Sequence, residues 1–130
     1  MPNAKITEQV TITEAVYPRT ATAISSSTLV DMQGFGRYLA VAQHGTATTE
    51  SSFVVTVWES TAATWAGAVA TVLKTSTVTV GTASTTVSTI DVKESEITDG
   101  KRYIGVYMTK VDTASSLSAL HVRGNDSYLP

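Results

Sequence analysis

Short runs of β-branched and apolar residues, alternating with polar ones and each followed by a turn signal, recur along most of the chain. The clearest run covers residues 53–60, and others cover 37–44, 103–110 and 117–122. A period of two is typical of strands, and no apolar stripe with the helical period of about 3.6 residues is present. The pattern predicts an all-β fold: an antiparallel, jelly-roll-like β-sandwich of about eight strands with little or no helix. An immunoglobulin-like connectivity fits the same pattern.

Threonine and serine supply much of the polar surface, since the chain has 23 threonines and 14 serines. Thr favours the pleated surface of a strand while its hydroxyl tolerates water. Charged residues make up only 15% of the chain, and the formal net charge is −2. We therefore expect stability that depends little on salt, and no general attraction to nucleic acid or to an anionic membrane. The absence of cysteine excludes disulfide bonds and thiolate metal sites.

Three local patterns carry more specific predictions. Residues 37–44 are apolar on both faces, which is typical of a central strand covered on both sides. Residues 77–80 and 85–92 alternate on either side of a glycine turn, which predicts a hairpin. Residues 94–97 are the one place where a helical turn is expected, ended by the Asp-Gly pair that follows.

No composition change and no Pro/Gly-rich linker divides the chain, so we expect one β-sandwich domain over residues 20–123. Residues 1–19 form an N-terminal arm or a first short strand, because Pro18 lacks an N–H donor and interrupts regular pairing. Residues 124–130 form a C-terminal tail. With no apolar secretion signal and no run of about 18 apolar residues, we expect a soluble protein made in the cytoplasm.

Few residues could support catalysis. His44 and His121 lie beside or within strands without a recognisable partner motif, so we interpret both as structural. Two histidines without cysteine cannot complete the usual zinc sites. The carboxylates fall at strand ends and turns, where solvated side chains are expected: Glu50, Glu59, Asp91, Glu94, Glu96, Asp99 and Asp112. We therefore expect no enzymatic activity, no cofactor and no metal.

Two glycine-rich or basic motifs have structural interpretations. The Gly-Phe-Gly sequence at 34–36 precedes a strand rather than opening a helix, so it predicts a tight turn and not a phosphate-binding loop. The Lys-Arg pair at 101–102 is too short to track a nucleic-acid backbone.

The two tryptophans differ in their setting. Trp58 alternates within a strand and is expected to be buried. Trp65 lies in a loop of small residues, where it could plug the end of the sandwich or offer a platform for a sugar ring. We favour the plug.

Two blocks of sequence, taken in order, resemble a known family. They comprise an Asp-Met-Gln-Gly-Phe turn at 31–35, a strand ending in Glu-Ser at 59–60, Trp65, Lys-Arg-Tyr at 101–103 and a Tyr-Leu-Pro end at 128–130. Their order and spacing are similar to those of small structural proteins of tailed bacteriophages that are encoded among the head genes. The resemblance covers roughly residues 28–130 and departs at 61–68, where relatives tend to carry acidic and Asn residues.

The resemblance implies a capsid decoration, or cement, protein. Such proteins are β-sandwiches that sit on the exterior of the mature bacteriophage virion and bridge neighbouring copies of the major capsid protein, often as homotrimers. The residues at the chain ends and in the loop that most resemble interface anchors are Tyr17, Arg19, Trp65, Arg123 and Tyr128. The alternative hypothesis is a phage tail-associated carbohydrate- or receptor-binding β-sandwich module, suggested by Trp65.

Overall fold

The computed structural model of the chain describes residues 10–20, 25–46, 51–65, 70–80, 85–109 and 116–124. These residues form nine strands and one short 3-10 helix, in two antiparallel sheets that enclose a common core. This confirms the predicted all-β sandwich. The strands are β1 (Val10–Thr20), β2 (Ser25–Ser26), β3 (Val30–Asp31), β4 (Arg37–His44), β5 (Ser51–Ser60), β6 (Ala70–Val80), β7 (Thr86–Lys93), β8 (Tyr103–Thr109) and β9 (Ser116–Gly124), and the helix is Glu94–Glu96.

The strand order defines the connectivity. The first sheet has the order β1-β9-β4-β7, and the second sheet has the order β2-β8-β5-β6, with β3 also paired to β8. The chain therefore crosses repeatedly from one sheet to the other, and long-range pairs join its beginning to its end. This interleaving of a four-stranded and a five-stranded sheet is the connectivity of a jelly roll, and it excludes the immunoglobulin-like alternative.

The predicted hairpin between residues 77–80 and 85–92 is wrong. In the described structure β6 pairs with β5 in the second sheet, and β7 pairs with β4 in the first. The two strands meet across the core through side chains, where the Ser88 hydroxyl donates to Ser76 Oγ at 3.1 Å. Alternation around a turn occurs both in hairpins and in connections that cross between sheets, so the local pattern does not distinguish them.

Each strand turns one set of alternate side chains toward the interior. The inward residues of β4 and β5 are Tyr38, Ala40, Ala42, Phe53, Val55 and Val57, all fully buried. The inward residues of β8 are Ile104, Val106 and Met108, which are also fully buried. Because complete burial of one apolar side chain contributes about 1.5–3 kcal/mol, this interior layer is the main source of stability.

Strand β1 continues through Pro18, which sequence reasoning expected to interrupt regular pairing. β1 is an edge strand that pairs with β9 alone in the described structure. Its register shifts between Glu14 and Val16 and again before Arg19, so pairing is irregular around the proline without ending there. Proline is tolerated on an edge strand or at a bulge, where no ladder hydrogen bond is lost.

The predicted turns are present. Gly34 and Gly100 have φ values of 86° and 87°, a region that glycine adopts without the steric cost of a Cβ atom. The Phe35 N–H donates to the Met32 carbonyl at 3.1 Å and closes the first of these turns. The 3-10 helix at Glu94–Glu96 confirms the expected helical turn.

Candidate functional site

The outer face of the first sheet carries an apolar patch, and no other layer of the described chain covers it. Ile12, Val87 and Leu120 are 55%, 58% and 42% exposed there. Leu39, Val41 and Val122 lie half-buried among them. We call these six residues the apolar face.

The pairing register assembles the apolar face across adjacent strands. Ile12 of β1 lies opposite Val122 of β9, which lies opposite Leu39 of β4. Leu120 lies opposite Val41 in the neighbouring row. Directly opposite residues on an antiparallel pair have Cβ atoms about 4.5–5.5 Å apart, so these five side chains form one patch. Val87 of β7 lies opposite Gln43 and borders the patch only as a diagonal neighbour of Val41. Contiguous exposed apolar patches on a soluble domain mark interaction surfaces.

Polar and charged residues frame the apolar face. Glu14 is exposed on β1 at one edge, and Asp91 and Lys93 are exposed on β7 at the other. Arg37 donates from Nη2 to Asp91 Oδ2 at 2.5 Å, so these two charges compensate each other within the chain. An apolar centre with a polar rim is the usual anatomy of a protein–protein interface.

The two predictions made for residues 37–44 have different outcomes. The strand is central, between β9 and β7, as expected. It is covered on its inner side only: Tyr38, Ala40 and Ala42 face the core, while Leu39 and Val41 face outward and stay half-buried. The prediction that this strand is covered on both sides is therefore wrong for the described part of the chain, where one side has no covering layer.

Trp65 lies on the outer face of the second sheet and not at the end of the sandwich. Its Nε1–H donates to the Ser27 carbonyl oxygen at 2.6 Å. Its ring meets those of Trp58 and Tyr107 edge-on, at interplanar angles of 81° and 68°. Trp58 is half-buried on this outer face, and not in the core as expected. Because the rings stand steeply to one another, the cluster offers no flat aromatic platform for a sugar ring.

Arg123 is bonded to other parts of the same molecule. Its guanidinium lies 4.7 Å from the centroid of the Phe35 ring, and Nη1 donates to the Asp31 carbonyl oxygen at 2.8 Å. The Asp31 carboxylate accepts two hydrogen bonds from Arg102, at 2.7 and 2.5 Å. The Arg102 guanidinium lowers the pKa of Asp31 to about 2. These contacts fasten the end of β9 to β3 and to the turn that follows it.

Of the five predicted contact residues, the structure describes the side chains of two, Trp65 and Arg123. Trp65 and Arg123 occupy separate places, and neither belongs to the apolar face. Tyr17 and Arg19 have their backbone in β1, but their side chains lie outside the described part of the chain. Tyr128 lies outside the described residues, with the rest of the predicted C-terminal tail.

Both histidines are buried and hydrogen-bonded. His121 Nδ1 lies 2.6 Å from the Tyr38 hydroxyl, and its Nε2 lies 2.9 Å from the Thr28 carbonyl oxygen. His44 Nδ1 lies 2.7 Å from the Gly45 carbonyl oxygen. Burial lowers the pKa of His121 to about 4 and raises the pKa of Tyr38 above its usual range. Among the described residues, no three histidine or carboxylate side chains are grouped so as to hold a metal ion.

Glu59 departs from the expectation of a solvated carboxylate. It lies on the inward side of β5 and is only 3% exposed. Its Oε2 accepts the Thr98 N–H at 2.8 Å, and its Oε1 accepts the hydroxyls of Thr98 and Thr71 at 2.5 and 3.3 Å. Glu59 therefore fastens the loop after the 3-10 helix to the second sheet. Of the other carboxylates in that prediction, Asp91, Glu94, Glu96 and Asp99 are exposed as expected, whereas Glu50 and Asp112 lie outside the described residues.

A cleft of about 270 Å³ lies between the Met32–Gln33 turn and residues 97–102. Its cations already have partners, since Arg102 binds Asp31 and Lys101 Nζ donates to Thr71 Oγ1 at 2.6 Å. The cleft is therefore a poor candidate for an anion site. Within the described ranges, no helix has the length and apolar character of a membrane-spanning segment.

Comparison with known proteins shows that the fold of this chain is similar to that of solved structures. No protein-family model and no curated protein matches the sequence. Among solved structures, a chain of infectious bursal disease virus, Gx strain, is similar to this chain with 12% identity and a TM-score of 0.55, over 94% of this chain and 33% of that one. This chain thus spans about a third of the length of that viral chain.

Two other solved structures are less similar. A chain of the Bacillus endospore appendages, which form disulfide-linked pili, has 14% identity and a TM-score of 0.45, over 90% of this chain and 88% of that one. A carbohydrate-binding module of the CBM4 type has 9% identity and a TM-score of 0.46, over 87% and 81%. At 12% identity the likeness to the viral chain bears on the β-sandwich fold alone.

Proposed function

We propose that this chain is a virion structural protein that decorates the exterior of a mature bacteriophage capsid and bridges major capsid protein subunits. The observation that carries the proposal is the apolar face, an uncovered hydrophobic surface on a central part of the first sheet. Exposed apolar surfaces of this kind are typical of protein–protein contacts. The sequence motifs that resemble phage decoration proteins supply the identity of the partner, and the proposed role is non-enzymatic.

The apolar face can supply useful binding energy on a repeating lattice. Covering the exposed half of Ile12, Val87 or Leu120 contributes about 1 kcal/mol each, since complete burial of such a side chain contributes about 1.5–3 kcal/mol. A protein that binds only the mature lattice stabilises it by mass action. Linked copies add avidity without new contacts, so a modest gain at each site is sufficient.

The outer face of the second sheet carries a row of exposed threonines on β6, Thr75, Thr77 and Thr79. Val72 at the end of the same strand is 52% exposed, so among the described residues this face has one exposed apolar residue where the first sheet has three. The threonine hydroxyls are polar and uncharged, so the row is solvated without depending on salt. We therefore orient the protein with its first sheet against the capsid and its second sheet toward solvent.

The geometry does not favour the alternative of a carbohydrate-binding tail module. The Trp65 indole N–H is already used by the Ser27 carbonyl, and its ring is packed edge-on against Trp58 and Tyr107. Stacking on a sugar requires an accessible ring face with polar groups beside it.

Capsid binding tests the proposal. Expanded capsids that lack the protein, from the phage that encodes this chain, are mixed with purified protein and sedimented, and the bound copies per capsid subunit are counted. Leu120→Glu places a charge at the centre of the apolar face, and Thr77→Glu places the same charge on the second sheet as a matched control. Both side chains are exposed, so both variants should fold, which circular dichroism checks.

We expect saturable binding by the wild type and by Thr77→Glu. Leu120→Glu should bind at least about 30-fold more weakly, because burial of an unpaired carboxylate costs several kcal/mol. A wild-type protein that does not sediment with capsids contradicts the proposed function. Equal binding by the two variants contradicts the assignment of the surface.

A further inference from the structure

His121 makes one hydrogen bond within the first sheet and one to a segment at the edge of the second. It lies on β9, fully buried, with Tyr38 of β4 on one side of its ring and Thr28 on the other. Thr28 belongs to residues 27–29, which connect β2 to β3 at the edge of the second sheet. The hydrogen bond from His121 to Thr28 therefore connects the first sheet to this segment, and the bond from Tyr38 fixes the other side of the imidazole ring.

The segment that His121 holds is attached at several other points. The Ser27 N–H donates to the Val106 carbonyl at 2.8 Å, and Ser27 Oγ accepts the Val106 N–H at 2.7 Å. The Thr28 N–H donates to the Ala15 carbonyl at 3.3 Å. Trp65 donates to the Ser27 carbonyl. Movement of residues 27–29 would therefore also release the Trp65 loop.

Both ring nitrogens of His121 are used in a way that requires the neutral imidazole. The Thr28 carbonyl can only accept, so Nε2 carries the proton and donates to it. Nδ1 is then the acceptor for the Tyr38 hydroxyl. A second proton would convert Nδ1 from an acceptor to a donor that faces the hydroxyl proton of Tyr38, and would leave a positive charge in the core.

The surroundings of His121 oppose that charge. From β4 it faces the phenol of Tyr38, and from its own strand it feels the positive charge of Arg123. The segment at Thr28 offers uncharged groups, and Glu14 of β1 is exposed on the outer face of the sheet. Desolvation has the largest effect and lowers the pKa of His121. The hydrogen bond to the Thr28 carbonyl raises this pKa and the positive charge of Arg123 lowers it, and together these effects hold it near 4.

We propose that Tyr38, His121 and Thr28 form an acid-sensitive latch, which holds residues 27–29 on the first sheet at neutral pH and releases them when a proton from solvent binds Nδ1 of His121. When residues 27–29 move away, water reaches the imidazole of His121 and the ring can bind a proton. Acid therefore favours the form in which these residues are released. The latch is independent of what binds the apolar face.

Hydrogen–deuterium exchange of the wild-type protein between pH 7 and pH 5 tests the latch. If opening restores an ordinary histidine pKa near 6.5, the opening equilibrium rises about 20-fold over this interval. After correction for the intrinsic pH dependence of exchange, the amides of residues 27–29 should exchange about 20-fold faster at pH 5, whereas those of β5 should change little. Equal acceleration in both places, or none in either, contradicts the proposal.

Two variants separate the latch from general acid effects. His121→Gln removes the titrating group, so the extra exchange at pH 5 should disappear, and His44→Gln, at the other buried histidine, should retain it. Should His121→Gln fail to fold, an NMR titration of the wild-type imidazole decides instead. A His121 pKa well below 6 supports the latch, and an ordinary value overturns it.

Discussion

Gly105 lies directly beneath Trp65, and this position offers a quantitative test of the packing on the second sheet. A Cβ atom there would lie 2.6 Å from Trp65 Cζ2 and would overlap Leu29 Cδ2. Leu29 can rotate, but Trp65 is held by its hydrogen bond to Ser27. Gly105→Ala should therefore displace the indole, with loss of a hydrogen bond of about 1 kcal/mol and two ring contacts of about 0.5–1.5 kcal/mol each. Alanine recovers about 1 kcal/mol in a strand, so the free energy of unfolding should fall by about 1–3 kcal/mol.

A double-mutant cycle with Trp65→Ala, followed by urea denaturation, identifies the cause of that loss. Without the indole the main obstacle is absent, so Gly105→Ala in the Trp65→Ala background should cost less than about 0.5 kcal/mol. The tryptophan fluorescence of Gly105→Ala should also shift to longer wavelength, as the indole enters water. An equal cost of Gly105→Ala in both backgrounds would refute the reasoning.

Two further stability predictions concern buried and paired carboxylates. Glu59→Gln should lower the free energy of unfolding, measured by urea titration, by about 2 kcal/mol, because an amide group would face the Thr98 donors. Glu94 is exposed, so Glu94→Gln should change the same free energy by less than about 0.5 kcal/mol. The lowered pKa of Asp31 means that its pairing with Arg102 stabilises the fold fully above a pH of about 4 and is lost as the pH falls through about 2. Since Asp31 is 35% exposed, Asp31→Asn should cost at most about 1 kcal/mol at pH 7 and much less at pH 2. A difference that does not vary with pH would contradict this account.

The sequence contains enough local information to predict most of the strands. β4, β8 and β9 fall close to residues 37–44, 103–110 and 117–122, because alternation with a period of two is a property of each segment alone. The turn at Gly34 and the helical turn at 94–97 were also predictable, since each depends on a few neighbouring residues.

Features that depend on partners distant in sequence were not predictable in this way. The hairpin prediction failed because the pattern of β6 and β7 says nothing of which sheet each strand joins. Glu59 was assigned to solvent because its hydrogen-bonding partner Thr98 is 39 positions away. The apolar face was missed for a related reason: its members lie in four separate strands, and only the register shows that they adjoin.

The most direct test of the apolar face is its accessibility on the assembled particle. The chain has no cysteine, so Leu120→Cys and Thr77→Cys each introduce a single thiol, one on each outer face of the sandwich. The rate of maleimide alkylation is measured for each variant free in solution and bound to expanded capsids. We predict that binding slows alkylation of the thiol at position 120 at least tenfold and leaves that at 77 unchanged; equal reactivity of both on the capsid, or selective protection of position 77, would contradict the account.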